Sequence, residues 1–123
     1  MSGHYFYREL GFIENSLFTM LKVLEILSAQ SEPFSALIAP LKKYFASGEI
    51  NFKVADADRI LAAVESHFGG AQIKKIDGLT VEFPDWWFNL RQSNTEPLVR
   101  LNMEADTADL LEKKKREVVA LIK

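Results

Sequence analysis

The 123-residue sequence contains no cysteine, which excludes disulfide frameworks, thiolate zinc sites, iron–sulfur clusters and cysteine nucleophiles together. It has little excess charge of either sign: 15 Lys and Arg against 17 Asp and Glu leave a net −2. That sum supplies no global field for gripping a nucleic-acid backbone, which needs a concentrated basic surface. Long apolar runs are missing as well. The longest, near residues 17–27, is broken by Thr19, Lys22 and Glu25 and falls short of the roughly 20 residues that cross a bilayer. The chain also starts without the basic segment and small-residue cleavage site of a signal peptide. These absences set the expectation of a cytoplasmic protein with no nucleic-acid and no membrane partner.

What is present is the balance of a globular protein, 48% apolar and 26% charged, at a length suited to one domain of about 100 residues plus an appendage. Residues 15–30 have helix-forming composition, with Leu17, Phe18, Met20, Leu21, Val23, Leu24, Ile26 and Leu27 on almost every face. A helix apolar all round requires burial on all sides. We therefore expect it to pack against protein outside this chain; a central helix of a small domain, or a dimer contact, is the alternative. Residues 28–35, with Glu32-Pro33 in the middle, read as a linker.

Ser35 is placed to cap a short helix carrying Leu37, Ile38, Leu41, Tyr44 and Phe45, with Pro40 limiting its length and Ser47-Gly48 stopping it. Ile50, Phe52 and Val54 alternate with Asn51 and Lys53, the period of a strand with one wet face. Asp56 or Asp58 then caps a helix in which Ile60, Leu61, Val64 and Phe68 fall at helical spacing before Gly69-Gly70. Residues 73–76 and 79–83 flank Asp77-Gly78, a pair suited to a tight two-residue hairpin turn. Beyond Pro84-Asp85, the alternations of Trp86, Phe88 and Leu90 and of Val99, Leu101 and Met103 predict two more strands. Asp106 or Thr107 opens a final helix with Leu111, Val118 and Ile122 on one face. Strands in succession between helices predict an α+β fold, an antiparallel sheet of about four strands with helices packed on one face.

Chemistry concentrates between the last two strands, in residues 91–100. If Trp86, Phe88 and Leu90 face the core, parity turns Trp87, Asn89 and Arg91 outward, and the same count turns Arg100 outward. Two guanidinium groups then flank a loop containing Ser93, Asn94 and Thr95. A phosphate monoester needs donors from several directions: arginine forks, hydroxyls, and the backbone N–H groups of Asn94 and Thr95 in a tight turn supply them. The same residues are also ordinary turn formers, and paired arginines often make surface ion pairs of little worth.

The segment Arg91-Gln92-Ser93-Asn94-Thr95-Glu96-Pro97 resembles the phosphate-binding loop of the α-D-phosphohexomutase superfamily, R-x-S-N/G-T-E-P. Further similarity lies in Leu41-Lys42-Lys43-Tyr44-Phe45, Gly48-Glu49-Ile50-Asn51-Phe52, Asp77-Gly78-Leu79 and Phe83-Pro84-Asp85-Trp86-Trp87-Phe88-Asn89-Leu90. All look like the bacterial phosphomannomutase/phosphoglucomutase branch, in order and over nearly the whole chain. The resemblance implies the TBP-like C-terminal fold of that superfamily over residues 31–123, preceded in residues 1–30 by the tail of a third domain with a leftover helix.

It further implies that Arg91, Ser93, Asn94, Thr95 and Arg100 bind the non-reacting phosphate of a hexose 1- or 6-phosphate, mannose or glucose. Met1-Ser2-Gly3-His4 matches the end of the family's G-E-M-S-G-H sugar loop, without its first glycine and glutamate. By resemblance Ser2 and His4 face the sugar, and His4 is a possible assistant to proton transfer in the full enzyme. The phosphoserine loop (T-A-S-H-N-P) and magnesium loop (D-G-D-G-D-R) are not in these residues. The implied magnesium is thus held by residues of the missing N-terminal domains, no catalytic residue is expected in this chain, and isomerisation by it alone is not expected. A free-standing α+β protein-interaction module is the alternative reading.

Other features read as structural. Lys113-Lys114-Lys115-Arg116 fits the solvated face of an amphipathic helix. Trp86 is expected inward, with Trp87 on the outer sheet face or against a helix. His67 has no partner at metal-ligand spacing, and Asp56 and Asp58 read as helix caps rather than an acid pair.

Overall fold

The computed structural model describes residues 4–123, and its contacts divide the chain into two compact units, Met1–Lys42 and Lys43–Lys123. In the first unit, β1 (Phe6–Tyr7) and β2 (Ile13–Glu14) pair antiparallel around a 3₁₀ turn at Arg8–Leu10. Helix α1 (Ser16–Ser28) starts where Asn15 Oδ1 accepts the Phe18 N–H at 2.9 Å. Tyr7 packs edge-on against Phe18 and donates to Thr19 Oγ1 at 2.8 Å, which fixes the entry to this helix. No residue of α1 is buried, and Leu17, Met20, Leu21, Leu24 and Ile26 are each at least half exposed. The all-round apolar surface expected from the sequence is there.

Helix α2 (Phe34–Ile38) and a 3₁₀ turn at Ala39–Leu41 end this unit. The expected Ser35 cap does not form. Pro33, extended at φ −67° and ψ 153°, takes the N-cap position and puts Ser35 inside the first turn. Proline already has the φ that a helix start needs, so no side-chain cap is required to set it.

The second unit is an antiparallel sheet backed by two helices. Its elements are β3 (Phe45–Ala46), β4 (Ile50–Lys53), α3 (Ala57–His67), β5 (Gln72–Lys74), β6 (Leu79–Glu82), β7 (Trp86–Gln92), β8 (Leu98–Ala105) and α4 (Ala108–Ile122). The order is β3-β8-β7-β6-β5, with β4 also on β8. The sheet has six strands where about four were expected; β5 is the first arm of the anticipated hairpin, and β3 is the strand that was not foreseen.

Phe45 belongs to a strand rather than to the short helix anticipated for it, and Ser47-Gly48 is a strand irregularity rather than a helix stop. Pairing runs Phe45↔Ala105 and Ala46↔Glu104, then Ile50↔Leu101. That shift of one residue makes Gly48, at φ +67°, the extra residue of a glycine bulge. Ser47 holds the bulge by exchanging bonds with Met103: its N–H donates to Met103 O at 2.9 Å, and its Oγ accepts the Met103 N–H at 3.0 Å. Bulges bend the strand and re-aim side chains; the one aimed here is Glu49.

The hairpin at Asp77-Gly78 also departs from expectation. A two-residue turn would set Ile76 opposite Leu79, but the strands pair Ile73↔Val81 and Lys74↔Thr80, one residue away. The observed register puts Ile73 and Val81 on the same core-facing side, whereas the tight turn would oppose Val81 to Lys74. A slip of one residue changes which face every side chain takes, so burial overrides local turn preference. Asp77 and Gly78 still adopt positive φ, +52° and +91°.

Alternation in β7 and β8 fixes the two faces of the sheet. Trp86, Phe88 and Leu90, with Val99, Leu101, Met103 and Ala105, are buried against Val64 from α3, Phe68 just past its end, and Leu111, Val118 and Ile122 from α4. Phe68 meets Phe88 edge-on at 5.2 Å, and Trp86 stacks on Phe83 at 4.7 Å. Asp56 Oδ1 caps α3 by accepting the Arg59 N–H, and Thr107 Oγ1 caps α4 by accepting the Leu110 N–H. Trp87 lies on the opposite face and donates Nε1–H to Glu104 Oε2 at 3.1 Å.

The basic run on α4 is largely engaged within the protein. Lys114 sits over the Trp86 ring at 4.9 Å and donates to Glu117 at 2.9 Å, while Lys115 pairs with Glu112. The Lys114 hydrogen bond holds the Glu117 carboxyl below the usual glutamate range; burial opposes this, and His67 of α3, 3.6 Å away, assists it. A depressed carboxylate stabilises the fold above its unfolded pKa, about 4.3, and that contribution is lost as pH falls through the lower folded value. The Glu117→Gln variant should therefore lose less than about 1 kcal/mol at pH 7, as a partly exposed pair does. The gap between the urea midpoints of variant and wild type should shrink as pH falls from about 7 through the lower folded value; a gap that does not change with pH would contradict this role.

Candidate functional site

The outer face of the β7–β8 hairpin gathers the residues that sequence parity selected. Arg91 and Arg100 are direct cross-strand partners. Like charges placed directly opposite oppose sheet formation, so their pairing implies compensation by an anion. Between the two strands, the Ser93 N–H donates to Leu98 O at 2.9 Å, closing a loop over Asn94, Thr95, Glu96 and Pro97. The Leu98 N–H returns to Glu96 O at 2.8 Å, and the Val54 N–H donates to Pro97 O at 3.2 Å, which ties the loop to the segment after β4.

A cavity of about 200 Å³ opens on this loop, lined by Asp77, Arg91, Gln92, Ser93, Asn94, Thr95 and Arg100. All five residues expected at a phosphate therefore share one concavity. Ser93 is the buried polar residue of the unit, 8% exposed, with its Oγ 3.4 Å from Thr95 Oγ1. The Thr95 N–H, expected to point outward as part of a nest, has Ser93 Oγ as an acceptor at 3.4 Å. The side chains of Arg91 and Arg100 are about one-third exposed. Arg100 Nε is buried without a hydrogen-bond partner among the described residues; an unpaired donor at such a place is costly.

Two residues of the site were not singled out from the sequence. Glu49, aimed by the Gly48 bulge, places Oε2 3.4 Å from Arg91 Nη2 and Oε1 3.7 Å from Arg100 Nη1. Asp77 places Oδ2 3.4 Å from Arg91 Nη1. Parity along β4 puts Glu49 on the outer face with Asn51 and Lys53, yet its neighbour there depends on β4 pairing with β8, which periodicity does not reveal.

The proposed sugar-facing residues belong to the other unit. Ser2 lies outside the described residues. His4 Nδ1 stands 2.5 Å from Glu14 Oε1, with both side chains about half exposed. Among the described residues no cluster of three or more His, Asp or Glu side chains is arranged to hold a metal ion. Among them, too, no helix is long and apolar enough to cross a membrane.

Fold and cavity together define a class: an α+β domain whose antiparallel sheet carries helices on one face and an arginine- and hydroxyl-lined loop on the other. Comparison with known proteins narrows it. Residues 49–121 match the family described as phosphoglucomutase/phosphomannomutase, C-terminal domain, and the chain belongs to that family. A phosphomannomutase of Methanocaldococcus jannaschii is 37% identical over 122 residues, covering 99% of this chain and 27% of its own length. A phosphomannomutase of Escherichia coli is 40% identical over 128 residues, covering 100% of this chain and 28% of its own length. The crystal structure of a phosphoglucomutase/phosphomannomutase family protein from Burkholderia thailandensis superposes with a TM-score of 0.76 at 34% identity, over 100% of this chain and 27% of that one. The chain thus spans little more than a quarter of the length of these relatives.

Proposed function

We propose that this chain is the phosphate-holding domain of a phosphomannomutase/phosphoglucomutase, an isomerase of carbohydrate metabolism in the cytoplasm. It grips the phosphate that is not reacting, at C1 or C6 of mannose or glucose, and so presents the other end of the hexose to a phosphoserine carried elsewhere in the enzyme. Binding energy spent at this remote group orients the reacting one. In this reading residues 31–123 form the phosphate-binding domain, residues 1–30 are the tail of the domain before it, Ser2 and His4 face the sugar, and magnesium belongs to the other domains.

The observation that carries the reading is the opposed Arg91–Arg100 pair, beside the Ser93 and Thr95 hydroxyls in one small cavity. Its roughly 200 Å³ is below the about 300 Å³ at which sites for drug-sized ligands begin, a size that suits a phosphoryl group with the sugar left outside. Such a cradle reads the phosphate and not the epimer, since both sugars present the same group. Titration of the chain with mannose 6-phosphate, followed by amide NMR, should give saturable shifts confined to Ser93, Asn94, Thr95 and Arg100 at millimolar ligand. Shifts spread evenly over the basic surface, or none, would favour the interaction-module reading instead.

A further inference from the structure

This inference rests on the reading of the loop as a phosphate cradle and concerns the two carboxylates that meet its arginines. They engage different ends of the Arg91 guanidinium: Glu49 at Nη2 and Asp77 at Nη1. Glu49 also reaches Arg100 and lies outside the cavity lining, whereas Asp77 is part of that lining. Two acids against two arginines leave the empty cradle close to neutral. An incoming anion therefore meets a full field only if one carboxylate gives way.

We infer that Asp77 is a built-in competitor, occupying Arg91 until the phosphate displaces it, while Glu49 is a positioning residue that keeps the two guanidiniums side by side. The turn supports this division. A Cβ on Gly78 would stand 2.6 Å from Leu90 O and 2.7 Å from Arg91 Cβ, so glycine alone lets the turn press against β7. Asn89 Nδ2–H donates to Asp77 O at 3.1 Å and holds the Asp77 backbone there. The Asp77 side chain is 77% exposed, and its long 3.4 Å contact with Arg91 is its one ion pair among the described residues. A fixed backbone with a free carboxylate makes a counter-ion able to swing into solvent. Glu49 differs: the Gly48 bulge sets its direction, and its two oxygens divide between two arginines, which offsets the like-charge opposition within the Arg91–Arg100 pair.

The two roles predict opposite signs. Inorganic phosphate is titrated at pH 8 and constant ionic strength, with the Ser93, Asn94 and Thr95 amides as reporters, into wild type, Asp77→Asn and Glu49→Gln. Asparagine tolerates the positive φ at position 77, and both changes keep side-chain shape, so the fold is preserved. Asp77→Asn should bind phosphate about three- to tenfold more tightly, the effect of removing one charge near a dianion at a wet surface, with the gain shrinking at high salt. Glu49→Gln should bind more weakly. Unchanged or weaker binding by Asp77→Asn overturns the competitor role, and tighter binding by Glu49→Gln overturns the positioning role. If no protein of the three shows loop-centred binding, the phosphate-cradle reading falls and this inference falls with it.

Discussion

Replacing Phe88 by alanine is expected to destabilise the second unit by about 3–5 kcal/mol, the usual cost of removing a buried phenyl ring. Phe88 is fully buried, at the centre of β7, opposite Val81 of β6 and Met103 of β8. Its ring stacks near Trp86 at 5.7 Å and meets Phe68, at the end of α3, edge-on at 5.2 Å. Truncation would therefore open a cavity where sheet and helix join, which the one flexible neighbour across the strands, Met103, fills only in part. A domain of ordinary stability holds only about 5–15 kcal/mol. Both tryptophans, Trp86 and Trp87, belong to this unit, so tryptophan fluorescence in urea reports its unfolding selectively. A fall of the midpoint worth less than about 1 kcal/mol would mean that the aromatic cluster is not the keystone of the core.

How far the sequence revealed this structure depended on whether local pattern or long-range pairing decided each feature. Period-two alternation in residues 86–90 and 99–103 identified which side chains turn inward, because burial on one face imposes it. Caps at Asp56 and Thr107, each one of two candidates, were within reach of the sequence, since a helix start needs an acceptor three residues before a free N–H. The Asp77-Gly78 turn was predicted one residue too tight, for the register is set by Ile73 and Val81 sharing the core face rather than by the turn pair. The strand at Phe45–Ala46 and the Gly48 bulge exist only through pairing with β8, a contact more than fifty residues away in sequence. For the same reason Arg91, Ser93, Asn94, Thr95 and Arg100 were found from one hairpin, whereas Glu49 came to light only once β4 was seen beside β8.

The second large effect is expected at Arg91. Its guanidinium donates at both ends, to Glu49 and to Asp77, and lines the cavity, so alanine there removes a charge-assisted donor and leaves Arg100 as the remaining cation of the cradle. Losing such a hydrogen bond costs about 1.5–3 kcal/mol, or about a 10- to 150-fold change in affinity. Because Arg91 is on the outer face, about one-third exposed, the urea midpoint should move little, which separates a binding loss from a folding loss. The decisive measurement is the dissociation constant of mannose 6-phosphate for the wild-type chain and for Arg91→Ala at the same ionic strength. A drop of at least tenfold, with the fold intact, is the predicted result; equal affinities would mean that the opposed guanidiniums do not grip the ester.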